Sequence, residues 1–203
     1  MGNTTQFETI AGTYDTPERA QIAKIFAAVI REYLVGEKNK RVIDFGCGTG
    51  LVGMELLNDV QSMLFLDTAP NMLRKVEEKI AASHSKNAET LCFDFEKDSS
   101  SDLHADYIFM VQVLLHIKEY EPVLRKLYQV LNPGGHLLII DFDKNEKVVS
   151  DLVHPGFDQA ELTDTMSKAG YRNIQSKTFF SGSSLFMGKD ASLFVLDSQK
   201  QIS

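Results

Sequence analysis

The chain has 203 residues, with 21 Lys and Arg against 28 Asp and Glu and a formal net charge of -7. That balance argues against a protein that holds nucleic acid by neutralising phosphates, and the length fits one domain, residues 1–203, with a substantial core. Cys47 and Cys92 are too few for a disulfide framework or a four-thiolate zinc site and suit a reducing interior. The polar start, residues 1–10, lacks the basic and apolar regions of a secretory signal, and no apolar run approaches the roughly 18 residues of a membrane-spanning helix. A soluble, cytoplasmic protein is the expectation.

Residues 17–34 place Ile22, Ile25, Phe26, Val29, Ile30 and Tyr33 at steps of three and four, which predicts an amphipathic helix with Thr16 as its cap and Pro17 in its first turn. Residues 41–45 read as a buried strand, broken by the glycines of 46–50 before a helical pattern that runs through Leu57. The alternation repeats: strand 62–67, helix 70–83, strand 89–94, strand 106–113, helix 121–131, strand 136–142. Strands apolar on both faces suggest parallel neighbours covered by helices on each side. Asn132, Pro133, Gly134 and Gly135 end the helix before the fifth strand.

After a polar, irregular stretch over 143–158, a helix is expected over 158–169 with its stop at Gly170, then strands over 174–180 and 191–197. About ten residues join these two strands, too few for a helical crossover, so they pair antiparallel. The chain thus reads as α/β, a doubly wound and mostly parallel sheet of seven strands with an antiparallel C-terminal hairpin.

In such a sheet a ligand lies beyond the carboxyl ends of the strands. Asp44-Phe45-Gly46-Cys47-Gly48-Thr49-Gly50 follows the first strand there, with glycines that permit close backbone approach and a helix start that offers free N–H groups to an anion. Asp67 ends the second strand, at the separation where an acidic residue accepts a ribose diol, and Asp94 ends the third. The run Gly48-Thr49-Gly50-Leu51-Val52-Gly53 also matches the dinucleotide fingerprint, so a nicotinamide-dependent oxidoreductase competes. Against it stands the register, since the first glycine after the strand is Gly46, and the antiparallel ending is unusual for a dinucleotide fold. A cofactor-binding protein without turnover is the third alternative.

Several segments carry a family resemblance. Residues 42–50, Leu64-Phe65-Leu66-Asp67 with Asn71-Met72-Leu73, Cys92-Phe93-Asp94-Phe95, residues 106–117 and residues 131–138 together resemble the class I S-adenosylmethionine-dependent methyltransferases, over nearly all the chain. Phe7, Ala11, Tyr14 and Asp15, with His154-Pro155-Gly156-Phe157-Asp158 and Glu161-Leu162, resemble the small-molecule branch that includes ubiquinone and menaquinone biosynthesis. The resemblance implies a Rossmann-like fold with a cap segment (1–34), a cofactor-binding core (41–142) and an acceptor-side segment with the hairpin (143–203).

It further implies S-adenosyl-L-methionine as cofactor, with S-adenosyl-L-homocysteine as product and a small-molecule acceptor. Gly46, Cys47, Gly48 and Gly50 would pack on the methionine part, and Asp67 would accept both ribose hydroxyls. Thr68 and Met72 would border ribose and adenine, Asp94 and Phe95 would bind the adenine amino group and ring, and Met110 and Val111 would present backbone groups. Tyr14, Gln112, His116 and His154 are the candidate acceptor contacts, with His116 the candidate general base. Asp141 and Asp143 raise a metal-assisted mechanism, but Met110, Val111 and Gln112 stand where a third oxygen ligand would, so no metal is expected. Cys47 has no evident base beside it and is not expected to act as a nucleophile.

Overall fold

The computed structural model describes residues 4–34, 38–95, 98 and 102–202, leaving the first three residues of the polar start outside. In chain order the elements are α1 (Thr4–Ile10), α2 (Pro17–Tyr33), β1 (Arg41–Phe45), α3 (Leu51–Leu56), β2 (Ser62–Asp67), α4 (Pro70–Ser83), β3 (Ala88–Cys92) and β4 (Ala105–Val111). They continue as α5 (Tyr120–Val130), β5 (Leu131–Phe142), α6 (Gln159–Lys168), β6 (Arg172–Phe186) and β7 (Lys189–Gln199). The strands form one sheet in the order β3-β2-β1-β4-β5-β7-β6. The first five are parallel, and β7 runs antiparallel to both β5 and β6.

This is the doubly wound α/β sheet with an antiparallel end that the hydrophobic pattern predicts. The strand order reverses between β1 and β4, which opens a crevice at their carboxyl ends. Phe45, Phe65, Ile108, Leu138 and Leu196 are fully buried along the central strands, as expected for a sheet covered on both faces. No described helix is long and apolar enough to cross a membrane.

The helix ends follow local chemistry. Thr16 caps α2 by accepting the Arg19 amide at 3.2 Å with Pro17 next to it, and Asp158 caps α6 by accepting the amides of Ala160 and Glu161. Four boundaries differ from the sequence expectation. β3 stops at Cys92, the partner of Asp67, so Asp94 lies two residues beyond the strand in a turn where its amide donates to Asp98 Oδ2 at 2.8 Å. β4 stops at Val111 because Gln112 takes a left-handed φ of 54°, and a 3-10 turn, Leu114–His116, follows.

The other two differences concern glycine-rich segments that join strands. The 131–135 run enters β5 as an irregular start, with Ala105 opposite Leu131 before the ladder resumes at Tyr107 and His136. The ladder between β6 and β7 extends through the stretch expected as a long connection, because Met187 and Gly188, at φ 49° and 74°, make a two-residue turn of the kind that matches strand twist. The helix α1 has no counterpart in the sequence expectation.

Candidate functional site: a cleft above β1, β2 and β4

The glycine turn sits at the switch in strand order. Gly46 takes φ 68°, and a Cβ there would lie 2.7 Å from both methyls of Val113, so the backbone passes too close for any side chain. Asp67 at the end of β2 is tied to this turn: its Oδ2 accepts the Gly48 amide at 2.8 Å and its Oδ1 the Ala69 amide at 2.9 Å. Burial raises the Asp67 carboxyl above its ordinary range, and these backbone donors oppose that rise.

Asp44, at 3% exposure, is the second carboxylate of the cleft. Burial, reinforced by the charge of Asp67, pushes its pKa well up, and its Oδ2 has no hydrogen-bond partner among the described residues. That oxygen packs against Gly53, where a Cβ would stand 2.6 Å away, and a backbone hydrogen bond from Gly53 opposes the rise. Burial also pushes the Cys47 thiol well up, which keeps it protonated and unsuited to nucleophilic attack.

Two cavities flank this floor. The smaller, about 150 Å³, is lined by Thr4, Phe7, Asp67, Thr68, Val113 and His116, among others. The larger, about 290 Å³, reaches Asp44, Arg19, the turn residues Cys47 and Thr49, α2 and the β6–β7 hairpin. Tyr14, Gly46, Gly48, Val111 and Gln112 line both, so they form the partition of one cleft. Gln112 holds its left-handed φ with its amide donating to Ile140 O at 2.7 Å, a strained backbone held at a cleft wall.

The N-terminal segment closes the cleft from above. Thr4 Oγ1 and Thr68 Oγ1 share a hydrogen bond at 3.0 Å, and Asn71 donates its backbone amide to Glu8 Oε1 at 2.8 Å. Phe7, Ile10 and Tyr14 pack with Ala11 on Ala69 and Met72. The segment is latched further on: Asp15 accepts Thr49 Oγ1 at 2.5 Å and pairs with Lys79 at 2.7 Å, while Lys79 also donates to Thr49 O at 2.6 Å. The Arg19 guanidinium lies 4.1 Å from the centre of the Tyr14 ring, and burial raises the Tyr14 phenol.

His116 meets the Phe7 ring edge to face at 5.2 Å, and burial lowers its pKa, which favours the neutral imidazole. Its turn is held from beneath by Asp141, fully buried at the end of β5, whose Oδ2 accepts the Leu115 amide at 3.1 Å and whose Oδ1 accepts the Phe142 amide at 2.9 Å. Burial raises the Asp141 carboxyl to about 7.

Of the residues singled out from sequence, Tyr14, Gly46, Cys47, Gly48, Asp67, Thr68, Val111, Gln112 and His116 line the cleft. Gly50 starts α3 at φ 76°. Met72, Asp94, Phe95, Met110 and His154 line neither cavity. Met72 and Met110 are fully buried, and Phe95 is packed edge-on against Phe45 and Phe93. His154 instead braces the His116 turn: its amide donates to Leu115 O at 2.8 Å, and its Nε2 lies 2.9 Å from Ile117 O. Asp143 accepts from Gln159 Nε2 at 2.6 Å and from Thr178 Oγ1 at 3.0 Å, away from any metal cluster; none occurs among the described residues.

Arg19, Thr4 and Glu8 were not singled out from sequence, and Phe7 only as part of the family resemblance. The signal was present, since Phe7, Ile10, Ala11 and Tyr14 stand at helical spacing.

A family model described as a methyltransferase domain matches residues 43–137. A demethylmenaquinone methyltransferase of Listeria monocytogenes is 28% identical over 141 residues, which cover 66% of this chain and 60% of that protein, so the chain spans less than two thirds of its relative's length. Among solved structures, a SAM-dependent methyltransferase of Aquifex aeolicus superposes with a TM-score of 0.71 at 21% identity, covering 95% of this chain and 97% of its own. A phosphoethanolamine N-methyltransferase of Haemonchus contortus, solved with S-adenosylhomocysteine, superposes with a TM-score of 0.71 at 15% identity over 86% of this chain and 52% of its own. Residues 43–137 are thus similar to a methyltransferase domain, and the seven-stranded sheet they help to build is the fold of the solved S-adenosylmethionine-dependent methyltransferases.

Proposed function

We propose that the chain transfers a methyl group from S-adenosylmethionine to a small molecule. The observation that carries this reading is the pair of buried carboxylates flanking one glycine turn: Asp44 in the wall of the larger cavity, and Asp67 with both oxygens in the cleft's own backbone network. These residues fit the cofactor. Asp44 suits its ammonium and Arg19 its carboxylate, the turn of Gly46, Cys47, Gly48 and Gly50 packs against its methionine part, and Asp67 keeps lone pairs for a ribose diol. Thr68 borders the ribose. Met72, Asp94 and Phe95 are the residues assigned to the adenine end, and Met110 and Val111 would offer backbone groups.

When bound, the cofactor supplies a methyl on a positive sulfonium, open to in-line displacement. The protein's own part is alignment and exclusion of water. Tyr14 and Gln112 form the partition between the two cavities, and α1 covers the smaller one. His116, which lines the smaller cavity and is kept neutral by burial, would take a proton from the acceptor, and His154 would contribute by holding the turn that carries it. The demethylmenaquinone methyltransferase relative supports a small-molecule acceptor.

Incubation with methyl-labelled S-adenosylmethionine and a small-molecule metabolite fraction tests this. Label is expected in small organic molecules, at a rate reduced at saturating cofactor by His116→Ala. Label in added nucleic acid or protein would contradict the small acceptor, and tight NADH binding with no label anywhere would favour the oxidoreductase. An unaltered rate in the His116 variant would remove that residue from the reaction.

A further inference from the structure

The larger cavity is divided by chemistry. Among the described residues Asp44 and Arg19 are the only charged ones that line it, Asp44 just before the glycine turn and Arg19 against Tyr14. Away from these and from Tyr14, Thr49 and Gln112 its wall is apolar, with Ile22, Ile25 and Phe26 from α2 and Phe180, Leu185 and Leu193 from the β6–β7 hairpin. Phe26 and Leu193 lie deep, at 4% and 2% exposure, whereas Ile22, Ile25 and Phe180 form a rim at 37%, 37% and 38%. Scattered exposed apolar residues need no explanation, but large ones from two elements that converge on one opening mark a surface that a ligand covers.

Size narrows the ligand. At about 290 Å³ the cavity stands near the low end of small-molecule sites, which run from roughly 300 to 1,000 Å³. The methionine end of the cofactor takes part of that space, and an apolar cavity of roughly 150 Å³ suffices for one benzene ring. A charged group placed against the six apolar side chains would lose its hydration and gain no partner.

Resting on the methyltransferase reading, we infer that the acceptor is an uncharged molecule with a compact aromatic or similarly apolar reacting part, seated between α2 and the β6–β7 hairpin. Its reacting atom faces Val111 and Gln112, the strand-end residues shared by both cavities. Any larger apolar body leaves through the rim at Ile25 and Phe180, and Phe180 and Leu185 select the acceptor without touching the cofactor.

The test uses the full chain saturated with S-adenosylhomocysteine, titrated with 1-naphthol and with its anionic counterpart 1-naphthoate, each followed by its own fluorescence. Saturable naphthol binding is expected, with naphthoate at least tenfold weaker. Phe180→Ser and Leu185→Ala each weaken naphthol about tenfold and leave S-adenosylhomocysteine affinity unchanged. Val149→Ser, at an 89% exposed apolar position outside the cavity, changes neither.

Phe180 is partly exposed, so its variant keeps the fold even where Leu185→Ala does not, and a thermal melt reports which variants remain folded. Normal S-adenosylhomocysteine binding with absent naphthol binding, with naphthoate as tight as naphthol, or with no effect of folded Phe180→Ser overturns the inference and leaves the methyltransferase reading standing. Hairpin-dependent naphthol binding by a protein that does not bind S-adenosylhomocysteine overturns the underlying reading instead.

Discussion

The Gly48 amide donates to Asp67 Oδ2 at 2.8 Å, a bond between residues nineteen positions apart that joins the turn after β1 to the end of β2. One carboxylate therefore shapes the glycine turn and faces the cleft. A change at Asp67 therefore also releases the backbone of the glycine turn, so on the proposed reading the seats for the two halves of the cofactor are not independent. A charge-assisted bond of this kind contributes about 1.5–3 kcal/mol.

Asp141 gives the protein a calculable pH signature. Its folded pKa of about 7 stands above the ordinary carboxylate value of 3.8, so the folded state holds a proton that the unfolded state releases. The stability tied to this group is full below about pH 4 and is lost as pH rises through 7, by an amount of order 4 kcal/mol for a fully buried group. Asp141→Asn is expected to reduce the fall in thermal stability between pH 5 and pH 8 relative to the parent. Equal falls in the two proteins would show that Asp141 does not titrate in this range.

The latch of Asp15, Thr49 and Lys79 is expected to govern cofactor exit, since it straps the capping segment to the glycine turn. The ion pair is partly exposed, at 28% for Lys79 and 35% for Asp15, so screening limits its contribution to about 1 kcal/mol. That corresponds to roughly a fivefold faster release of S-adenosylhomocysteine in Asp15→Ala and Lys79→Ala, read by stopped-flow. Release rates equal to the parent in both variants would mean that the segment does not gate the site.

Gly53 is the last glycine of the dinucleotide-like run, and its role is packing. A Cβ there would stand 2.4 Å from Phe65 Cε1 and 2.6 Å from Asp44 Oδ2. Gly53→Ala is expected to cost about 1–3 kcal/mol by overpacking and to weaken S-adenosylhomocysteine through the displaced Asp44. Denaturant melts and calorimetry check the two effects, and an unperturbed variant would show that Asp44 is not held from this side.

The central sheet was legible because its strands are apolar runs set between helical periodicities, and Asp67 was legible because it follows such a run at the right distance from the glycines. The capping helix was not, because its apolar stripe is short and its helical context comes from packing on Ala69 and Met72. The hairpin turn at Met187 and Gly188 was hidden by an uncommon left-handed methionine. Arg19 stood unnoticed within a helix whose periodicity explained only its apolar neighbours. His154 carries the chemistry of a ligand, and only the fold reveals that its ring is turned to the Ile117 carbonyl.

The central claim is that Asp67 and the glycine turn together hold S-adenosylmethionine or its product. Calorimetric titration of S-adenosylhomocysteine into the parent and Asp67→Ala tests it most directly. One-to-one binding is expected, weakened at least tenfold in the variant, since each lost charge-assisted bond is of order 1.5–3 kcal/mol. Affinity unchanged by the substitution, or a parent that binds NADH and not S-adenosylhomocysteine, would contradict it.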